Sequence, residues 1–474
     1  MADLKAVTTT RGETVLEQAD IEAFEIGLRG KLLRLGDDGY DSARSIWNAM
    51  IDHKPALLVR CAGVADVLRA VDFARTHDIL VAVRGGGHNI AGKSMCHGGL
   101  VIDLAPMQGI RVDPIARTAR AQAGLKLGDF DPETQAFGLA TTMGIVTDTG
   151  IAGITLGGGY GWLAGKFGLA CDNLLSADIV TADGRFLTAS ADENEELFWG
   201  LRGGGGNFGI VTSFEYQLHP VDSILGGMVI HPMTSAAEVL HFYEEFASAA
   251  PDELTTACAL LSDPDGNPIV AIAVCYCGPA EEGEKVLKPL RAFGPPVADL
   301  VSPMPYVALQ AMLDEAFAPG RHYYWKTSLL RKLTDPSIET LVEHASKKAS
   351  PMSLVVLQQM HGAAGRVGAT DTAFVHRYDH YNFLPVASWE APEGSEKNIR
   401  WAREFWGAMQ PFVEDDCYAN DLGEVELEDV IDETGEDRVK AAYGDETYER
   451  LVKLKNAYDP TNFFRLNTNI EPTK

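Results

Sequence analysis

The stretch Ile79-Leu-Val-Ala-Val-Arg-Gly-Gly-Gly-His-Asn, residues 79–89, decides the fold of this chain. Its apolar first half predicts a strand, because a short apolar run that ends at glycines is typical of strands. Residues 56–60 and 99–104 predict further strands, and residues 64–77 have the apolar spacing of a helix. This order of strand, helix and strand predicts an α/β or α+β beginning, with a glycine loop directly after one strand.

Two further glycine clusters follow this loop, at residues 157–161 and 203–209. The chain has 47 glycines among its 474 residues, against the roughly 7% that is usual in proteins. Since glycine has no Cβ atom and adopts positive φ readily, such loops let several backbone N–H groups converge on one anion, typically a diphosphate. Three such loops in the first half of the chain predict a long cofactor that lies extended.

The dinucleotide-binding fingerprint G-x-G-x-x-G offers an alternative interpretation of two clusters. Residues 204–209 match it, and residues 159–164 match its alanine variant. The fingerprint requires a strand before it and a helix after it. Residues 204–209 are followed instead by the alternating pattern of a strand, at 210–219, and residues 159–164 follow a stretch too rich in glycine for a central strand. A Rossmann nucleotide site is therefore the disfavoured alternative.

The composition excludes several classes of protein. With 40 basic and 67 acidic residues the net charge is −27, which argues against nucleic acid or an anionic membrane surface as a partner. No run approaches the roughly 18 apolar residues of a membrane span. The first residues lack the apolar segment of a signal peptide, so we expect a cytoplasmic protein. The seven cysteines are scattered, so we expect buried thiols rather than disulfides, and no metal site.

The chain changes character after Pro220. Residues 236–359 alternate between helical and β-like segments, which predicts an antiparallel sheet backed by helices in a second domain. The strongly acidic run 415–437 is typical of a solvated loop. A predicted helix at 445–457 then precedes the tail 458–470.

These motifs together resemble one known family. They are Arg84-Gly-Gly-Gly-His-Asn, Gly150-Ile-Ala-Gly-Ile-Thr-Leu-Gly-Gly-Gly-Tyr-Gly, Asn207-Phe-Gly-Ile-Val and the tail Tyr458-Asp-Pro-Thr-Asn-Phe-Phe-Arg-Leu-Asn-Thr-Asn-Ile. In this order they resemble the berberine-bridge-enzyme-like branch of the vanillyl-alcohol-oxidase superfamily, whose members are FAD oxidoreductases. The resemblance covers most of the chain and is weakest between Ser223 and Gly368.

The resemblance implies an α+β fold with a two-part FAD-binding domain of the PCMH type. Its two α+β subdomains would occupy residues 1–220, and residues 221–420 would form a substrate domain with an antiparallel sheet backed by helices. Residues 421–474 would complete the FAD domain.

The resemblance also implies how FAD is held. The loop from Arg84 to Asn89 would wrap the pyrophosphate, and His88 would carry a covalent bond to the flavin 8α carbon. Such a substituent would raise the flavin potential. The positions that match the cofactor-binding motifs are Arg84, Gly85, Gly86, Gly87, His88, Asn89, Gly92, Val146, Asp148, Thr149, Gly150, Gly153, Gly157, Gly158, Tyr160, Gly161, Val211, Asn467 and Asn469.

One departure from the family pattern concerns the second covalent link of many members, from a cysteine to flavin C6. The motif is Gly-x-Cys-Pro-x-Val-Gly, and residues 144–150 read Gly-Ile-Val-Thr-Asp-Thr-Gly, so Val146 replaces the cysteine. We therefore expect a single link, through His88. Thr149 stands where the family controls oxygen access with Val or Leu, which leaves oxidase and dehydrogenase activity both open.

Two residues are candidates for the catalytic base. Tyr418, in Cys417-Tyr-Ala-Asn, matches the Tyr-x-Asn segment of the family, and its phenol would need a nearby cation or hydrogen-bond donor to lower its pKa. Asp371 lies near the position of a catalytic glutamate of some members, and an exposed turn is its alternative role. The same segment contains His376 and Arg377, for which we expect structural roles.

The predicted strand Tyr323-Tyr-Trp-Lys offers Tyr324 and Lys326 as alternate side chains that would face the pocket, although a lysine at a sheet edge is the more common arrangement. The leading hypothesis is an FAD-linked oxidase that removes two electrons from an alcohol or amine carbon of a small organic molecule and passes them to molecular oxygen. A dehydrogenase with another acceptor and a flavin-binding protein without turnover are the alternatives.

Overall fold

The computed structural model describes residues 3–422 and 435–473. The fold is α+β, as predicted. The strands in chain order are β1 (Leu4–Val7), β2 (Glu13–Leu16), β3 (Lys31–Leu33), β4 (Leu57–Arg60), β5 (Val81–Arg84), β6 (Leu100–Asp103), β7 (Ile110–Asp113), β8 (Thr118–Gln122), β9 (Leu139–Ala140), β10 (Leu174–Val180), β11 (Phe186–Ser190), β12 (Ile210–Gln217), β13 (His219–Pro220), β14 (Ser223–Pro232), β15 (Leu254–Ser262), β16 (Pro268–Tyr276), β17 (Ala298–Asp299), β18 (Ser302–Pro305), β19 (His322–Trp325), β20 (Ser328–Leu330), β21 (Leu354–Met360) and β22 (His380–Trp389).

The α-helices in chain order are α1 (Gln18–Ile26), α2 (Tyr40–Arg44), α3 (Val64–Thr76), α4 (Leu127–Gln135), α5 (Ile151–Leu156), α6 (Ala164–Phe167), α7 (Glu195–Leu201), α8 (Ala236–Ser248), α9 (Ala280–Ala292), α10 (Tyr306–Gln310), α11 (Asp335–Ala345), α12 (Ala363–Arg366), α13 (Ser395–Met409), α14 (Gly435–Tyr443) and α15 (Asp445–Tyr458). Part of the acidic run predicted as a solvated loop, residues 423–434, lies outside the described residues.

The first sheet has four strands in the order β3-β4-β6-β5. Strands β4 and β5 both pair parallel with β6, and α3 connects β4 to β5. This is the strand, helix and strand order that the sequence predicted. The first glycine cluster follows directly after β5, at the carboxyl end of the parallel strands, where loops of α/β folds bind ligands.

A second, antiparallel sheet has five strands in the order β11-β10-β12-β8-β7. The third glycine cluster leads directly into β12 and not into a helix. The second cluster is preceded by the short helix α5 and not by a strand. Neither cluster therefore has the strand, loop and helix arrangement of a Rossmann site.

The third large sheet has nine antiparallel strands, with β17-β14-β16-β15-β21-β22-β19 as its main path and β18 and β20 at its sides. Helices α8, α9, α11 and α13 cover one face, because their apolar residues share one core with the sheet. The opposite face is turned toward the first two sheets. The sheets thus follow one another along the chain in the order of the predicted domains, and the division at 220 and 420 stays a prediction.

The carboxyl-terminal segment packs onto the first part of the chain. Leu451, Phe463 and Ile470 share the core of the first two sheets. The buried ammonium of Lys455 donates to the Asn207 carbonyl at 3.0 Å and pairs with Asp459 at 2.7 Å. Because Asn207 belongs to the third glycine cluster, this contact fixes the tail against that loop.

None of the seven cysteines forms a disulfide, and six of them are buried. Within residues 3–422 and 435–473, no three His, Cys, Asp or Glu side chains are grouped so that they could bind a metal ion. In the same part of the chain, no helix has both the length and the apolar character that crossing a bilayer requires.

Candidate active site

A cavity of about 350 Å³ lies where the three large sheets meet. One end is formed by the glycine clusters, the end of β5, the start of β12 and the tail. The other end is formed by β19, β21 and β22 of the nine-stranded sheet. We call these the glycine end and the sheet end. The predicted site residues that line the cavity are Gly85, Gly86, Gly87, His88, Asn89, Val146, Thr149, Gly150, Gly153, Gly157, Tyr160, Val211, Tyr418 and Asn467.

The first and second glycine clusters touch each other through their backbones. A Cβ atom on Gly86 would lie 2.5 Å from both the nitrogen and the Cα of Gly150. Contacts this short do not occur for real Cβ atoms, so only glycine permits the two loops to approach this closely. The wall that results presents backbone groups to the cavity instead of side chains.

The second cluster makes a similar close contact with the chain that follows Tyr418. A Cβ atom on Gly157 would lie 1.9 Å from the side-chain oxygen of Asn420. The amide nitrogen of Asn420 donates to the Ile154 carbonyl at 3.2 Å. The missing side chain at Gly157 therefore makes the space in which Asn420 reaches Tyr418.

His88 lies in the cavity wall with its ring held by aromatic stacking. The ring stacks on Trp47 at a centroid distance of 4.3 Å, and Trp47 stacks on Tyr323 of β19 at 3.8 Å. Burial lowers the pKa of His88 to about 4, so the imidazole is neutral at pH 7 and one ring nitrogen keeps a lone pair. The Nε2 atom is buried without a hydrogen-bond partner among the described residues.

Sequence reasoning missed the two residues that position this loop against the large sheet. The side chain of Asn48 donates to the carbonyls of Ile90 and Tyr323 at 2.9 and 3.0 Å, and it accepts from the Tyr323 N–H at 3.0 Å. Its neighbour Trp47 donates to the Phe317 carbonyl at 2.7 Å. Neither residue belongs to a motif, so only the long-range contacts identify them.

The segment that lacks the family cysteine also lines the cavity. Val146 is buried there, and Thr149 lies beside it. The thiols of all described cysteines lie outside the cavity lining. Asp148 forms an ion pair with Lys126 and is not part of the cavity wall.

Tyr418 lines the cavity, and two hydrogen bonds fix the position of its phenol. Its oxygen accepts hydrogen bonds from the Gly159 N–H at 2.9 Å and from the Asn420 side chain at 2.8 Å. Burial and the nearby Asp421 raise the pKa of Tyr418, and the two donors lower it by a smaller amount. Two donors of the kind that the sequence analysis required are present, but the pKa of Tyr418 stays above its ordinary value, so the phenol is neutral at pH 7.

A network of amides and a carboxylate at the sheet end was not predicted. The Asn382 side chain accepts from the Thr327 hydroxyl at 2.9 Å and donates to the side-chain oxygen of Gln358 at 3.1 Å and to Asp421 at 2.7 Å. Gln358 and Asp421 line the cavity. Asp421 belongs to the acidic run that the sequence predicted as a solvated loop, yet burial raises its pKa to about 6.

The prediction for the strand 323–326 is wrong in its orientation. Trp325 lines the cavity, whereas Tyr324 is buried on the helix-covered face and accepts a hydrogen bond from Arg403 at 3.0 Å. Lys326 is buried with its ammonium 5.5 Å from the centre of the Trp406 ring. Successive side chains of a strand alternate between faces, and the pairing of Trp325 with Val386 places the odd-numbered position on the cavity side.

The geometry does not support a catalytic role for Asp371. Its side chain is exposed and caps the Gly368 N–H at 3.2 Å, and it lies outside the cavity wall. This is the turn position that the sequence left as its alternative. The predicted cofactor-binding residues outside the cavity wall are Arg84, Gly92, Asp148, Gly158, Gly161 and Asn469. Arg84 bonds the Ala43 carbonyl below the loop.

His376 and Arg377 make structural contacts. The buried guanidinium of Arg377 pairs with Asp172 at 2.7 Å and bonds the Thr372 hydroxyl at 2.8 Å. His376 lies within hydrogen-bond distance of the Cys417 carbonyl, at 3.0 Å. The contact of His376 holds the chain directly before Tyr418 in place.

The tail contributes polar atoms with unused capacity to the glycine end. Asn467 lines the cavity, and its amide nitrogen donates to the Phe464 carbonyl at 3.0 Å. The side-chain oxygens of Asn467 and Asn469 are buried without a partner in the described part of the chain. Buried polar atoms usually have partners, so the Asn467 oxygen on the cavity wall is suited to bind a polar group of a ligand.

These residues fit the FAD that the resemblance implies. The glycine end offers backbone groups with no side chains in the way, which suits a diphosphate. The Asn467 oxygen, which has no partner among the described residues, and a neutral histidine lie on the same cavity. A long cofactor bound here would contact both the glycine end and the sheet end.

Comparisons with known proteins agree with this assignment. One family model, for an FAD binding domain, matches residues 55–190, and a second, described as berberine and berberine like, matches residues 419–471. An FAD-linked oxidoreductase of Dictyostelium discoideum is 31% identical over 457 residues, which cover 95% of this chain and 97% of that protein.

Two further comparisons match proteins that are named as oxidases. The (R)-6-hydroxynicotine oxidase of Paenarthrobacter nicotinovorans is 31% identical over 464 residues, 95% of this chain and 98% of that one. The crystal structure of 6-hydroxy-D-nicotine oxidase from Arthrobacter nicotinovorans superposes with a TM-score of 0.84 at 31% identity, over 94% of this chain and 98% of that chain. The chain therefore belongs to the berberine-bridge-enzyme-like family of FAD-linked oxidoreductases.

Proposed function

We propose that this FAD-linked oxidoreductase is an oxidase that removes two electrons from the alcohol or amine carbon of a small organic molecule. FAD would be attached through His88 alone, and molecular oxygen would be the final electron acceptor, reduced to hydrogen peroxide. The observation that carries this proposal is the single cavity lined by the glycine clusters, the neutral His88 and the Tyr418 phenol.

The state of His88 supports the covalent attachment. A bond to the flavin 8α carbon needs a nitrogen lone pair, and burial keeps the imidazole neutral at pH 7. The stacking on Trp47 fixes the ring plane before the cofactor arrives. Val146 supports a single link, because no thiol occupies the corresponding position of the cavity wall.

When bound, FAD supplies the two-electron acceptor for a hydride that leaves the substrate carbon. The task of the chain is to remove the proton from the substrate hydroxyl or amine nitrogen, and Tyr418 is our candidate for this base. Its oxygen already accepts two hydrogen bonds, and both become stronger when the phenol ionises to a phenolate. The substrate proton would then be transferred to this oxygen.

The apolar side chains of the sheet end support this chemistry by excluding water. Trp325, Val356, Leu384 and Val386 come from three neighbouring strands and line one side of the cavity. A dry site strengthens the electrostatic interactions of the few polar groups within it. An oxidase activity is also supported by the name of the (R)-6-hydroxynicotine oxidase relative.

The covalent link is tested by acid precipitation of the purified protein. We expect a yellow pellet, and an intact-protein mass that is larger by one FAD less two hydrogen atoms, because the new C–N bond replaces one C–H and one N–H bond. The His88→Ala variant should release all flavin to the supernatant, whereas the control His97→Ala, at an exposed position, should keep it. Complete release of flavin from the wild-type protein would contradict the proposed link.

Oxygen use is tested separately from attachment. The flavin is photoreduced under nitrogen, and its reoxidation is followed after mixing with air-saturated buffer. Rapid reoxidation with one hydrogen peroxide formed per flavin supports an oxidase. A reduced flavin that persists in air but is oxidised by a quinone would instead identify a dehydrogenase.

A further inference from the structure

The sheet end of the cavity combines an apolar wall with a single carboxylate. Trp325, Val356, Leu384 and Val386 supply the apolar surface. Asp421 is the one Asp or Glu among the described residues that line the cavity. An apolar pocket with few polar groups orients its ligand through those groups.

The position of Asp421 is fixed from two directions. One carboxylate oxygen, Oδ2, accepts from the Asn382 amide at 2.7 Å, and the backbone carbonyl accepts from the Trp325 indole at 3.0 Å. The Thr327 hydroxyl holds the Asn382 amide in the orientation that makes it a donor to Asp421. Asp421 is therefore preorganised before any ligand enters.

The second carboxylate oxygen has no such partner. No hydrogen bond to Oδ1 of Asp421 is formed by the residues that the structure describes, and no Lys, Arg or His among them forms an ion pair with this carboxylate. This oxygen is also not fully buried, since it is not one of the buried side-chain atoms that lack a hydrogen-bond partner. A carboxylate on an apolar wall without a counterion is costly unless a ligand brings the opposite charge.

Gln358 adds a donor to the same wall. Its side-chain oxygen accepts from Asn382 at 3.1 Å, so the amide nitrogen is the end left for the cavity. The sheet end thus offers one anionic acceptor at Asp421 and one neutral donor at Gln358.

We propose that Asp421 binds a protonated amine, so that the substrates are hydrophobic amines with a hydrogen-bond acceptor that reaches Gln358. The inference rests on the proposed function and names its substrate class. Asp421 is a specificity-determining residue in this scheme, and Tyr418 remains the base. A neutral alcohol of the same shape would leave the carboxylate desolvated and unpaired, and sites discriminate strongly against ligands that leave their buried polar groups unpaired.

The experiment compares amines with their alcohol counterparts on the flavin-loaded protein. The probes are benzylamine with benzyl alcohol and 2-phenylethylamine with 2-phenylethanol, titrated by calorimetry under nitrogen at pH 7.5. We expect each amine to bind at least about tenfold more tightly than its alcohol, since a charge-assisted hydrogen bond is about twice as strong as a neutral one. Equal affinities within both pairs would overturn the proposal.

Two variants assign the effect to one carboxylate. Asp421→Asn should reduce the amine-to-alcohol ratio to about two or less, while Asp379→Asn, at an exposed position outside the cavity wall, should leave it unchanged. A ratio that survives in Asp421→Asn would overturn the proposal. If Asp421→Asn fails to fold, the amine-to-alcohol affinity ratio of the wild-type protein still tests the proposal.

The two proposals fail in different ways. Flavin that stays attached after acid precipitation and reoxidises in air, together with equal binding of amines and alcohols, would refute the amine site and leave the oxidase standing. Protein that preferentially binds amines but never acquires covalent flavin would refute the proposed attachment and leave the Asp421 site standing.

Discussion

The two ends of the cavity are built by opposite means. At the glycine end, side chains are absent, and loops such as those of Gly86 and Gly150 approach until their backbones touch. At the sheet end, side chains form the wall. Asn382 is hydrogen-bonded to Thr327, Gln358 and Asp421, and these four residues come from four separate segments. The glycine end suits a cofactor that all members of the family share. The sheet end suits a substrate that differs from one member to another.

This contrast predicts different consequences of substitution. A backbone wall tolerates no added atoms, because neither loop can move without losing contact with the other. A substitution in a side-chain network removes one or two hydrogen bonds and leaves the backbone in place. It should therefore change substrate specificity more than folding stability.

The largest effect is expected at the glycine end. Gly86→Val places a branched side chain where even a Cβ atom would lie 2.5 Å from the backbone of Gly150. We expect the fold to lose about 1–3 kcal/mol or more through overpacking, with little or no flavin retained. The measurements are the thermal midpoint and the flavin-to-protein absorbance ratio.

The matched control is Gly407→Ala, on the exposed side of α13 with no atom within 4 Å of the added Cβ. It should leave the thermal midpoint unchanged or slightly higher, since alanine favours helices. Normal flavin content in Gly86→Val would mean that the two loops do not need this contact.

The next effect concerns the phenol between the two ends. Tyr418→Phe should lower kcat by about 10²- to 10⁴-fold, the usual contribution of a general base, while the flavin stays attached. Because burial raises the pKa of Tyr418, the wild-type rate should increase with pH through the alkaline range as the phenolate forms. Steady-state kinetics from pH 6 to 10 would check both statements.

The matched control here is Tyr306→Phe, which removes a buried hydroxyl that has no partner among the described residues and lies away from the cavity. Its rate and pH profile should equal those of the wild type. An unchanged rate in Tyr418→Phe would assign the base to another group.

The smallest effect is a pH dependence at the sheet end. With a pKa of about 6, Asp421 is ionised above pH 6 and becomes neutral below it. The affinity for the permanent cation benzyltrimethylammonium should therefore fall by about tenfold in total as the pH decreases from 7.5 to 4.5, and level off above pH 6. Tyr418 is the titratable neighbour that faces this carboxylate, and it stays neutral throughout this range because its pKa is raised.

Benzyl alcohol serves as the neutral control, and calorimetry at pH 4.5 to 7.5 is the measurement. Its affinity should not change with pH. A cation affinity that is equally constant would show that Asp421 does not contact the bound cation.

The motifs predicted much of the glycine end because the roles of glycine and histidine there depend on residues close to them in the sequence. His88 follows β5 within a few residues, so the strand that positions it is visible in the sequence itself. Trp47 and Asn48 could not be found in this way, because their partner Tyr323 is some 275 positions away in the chain.

The errors share one physical cause, which is pairing between distant segments. Which residues of β19 face the cavity depends on the register of this strand with β22, and the local sequence does not show that register. A shift of one position would place Tyr324 on the cavity face instead of Trp325. Asp421 was read as part of a solvated acidic run, since nothing local marks a single carboxylate for burial. Its hydrogen-bond partner Asn382 belongs to β22, a distant segment of the chain.

By itself, the sequence determined that this chain would fold as α+β around glycine loops, with His88 in the loop that follows β5. Those properties follow from backbone freedom and strand periodicity, which act over a few residues. Only the tertiary structure decided that Asn420 would contact Tyr418 through the space at Gly157, and that Asp421 would reach the cavity without a counterion. Such contacts depend on which distant strands pair and in what register, and no local pattern records that choice.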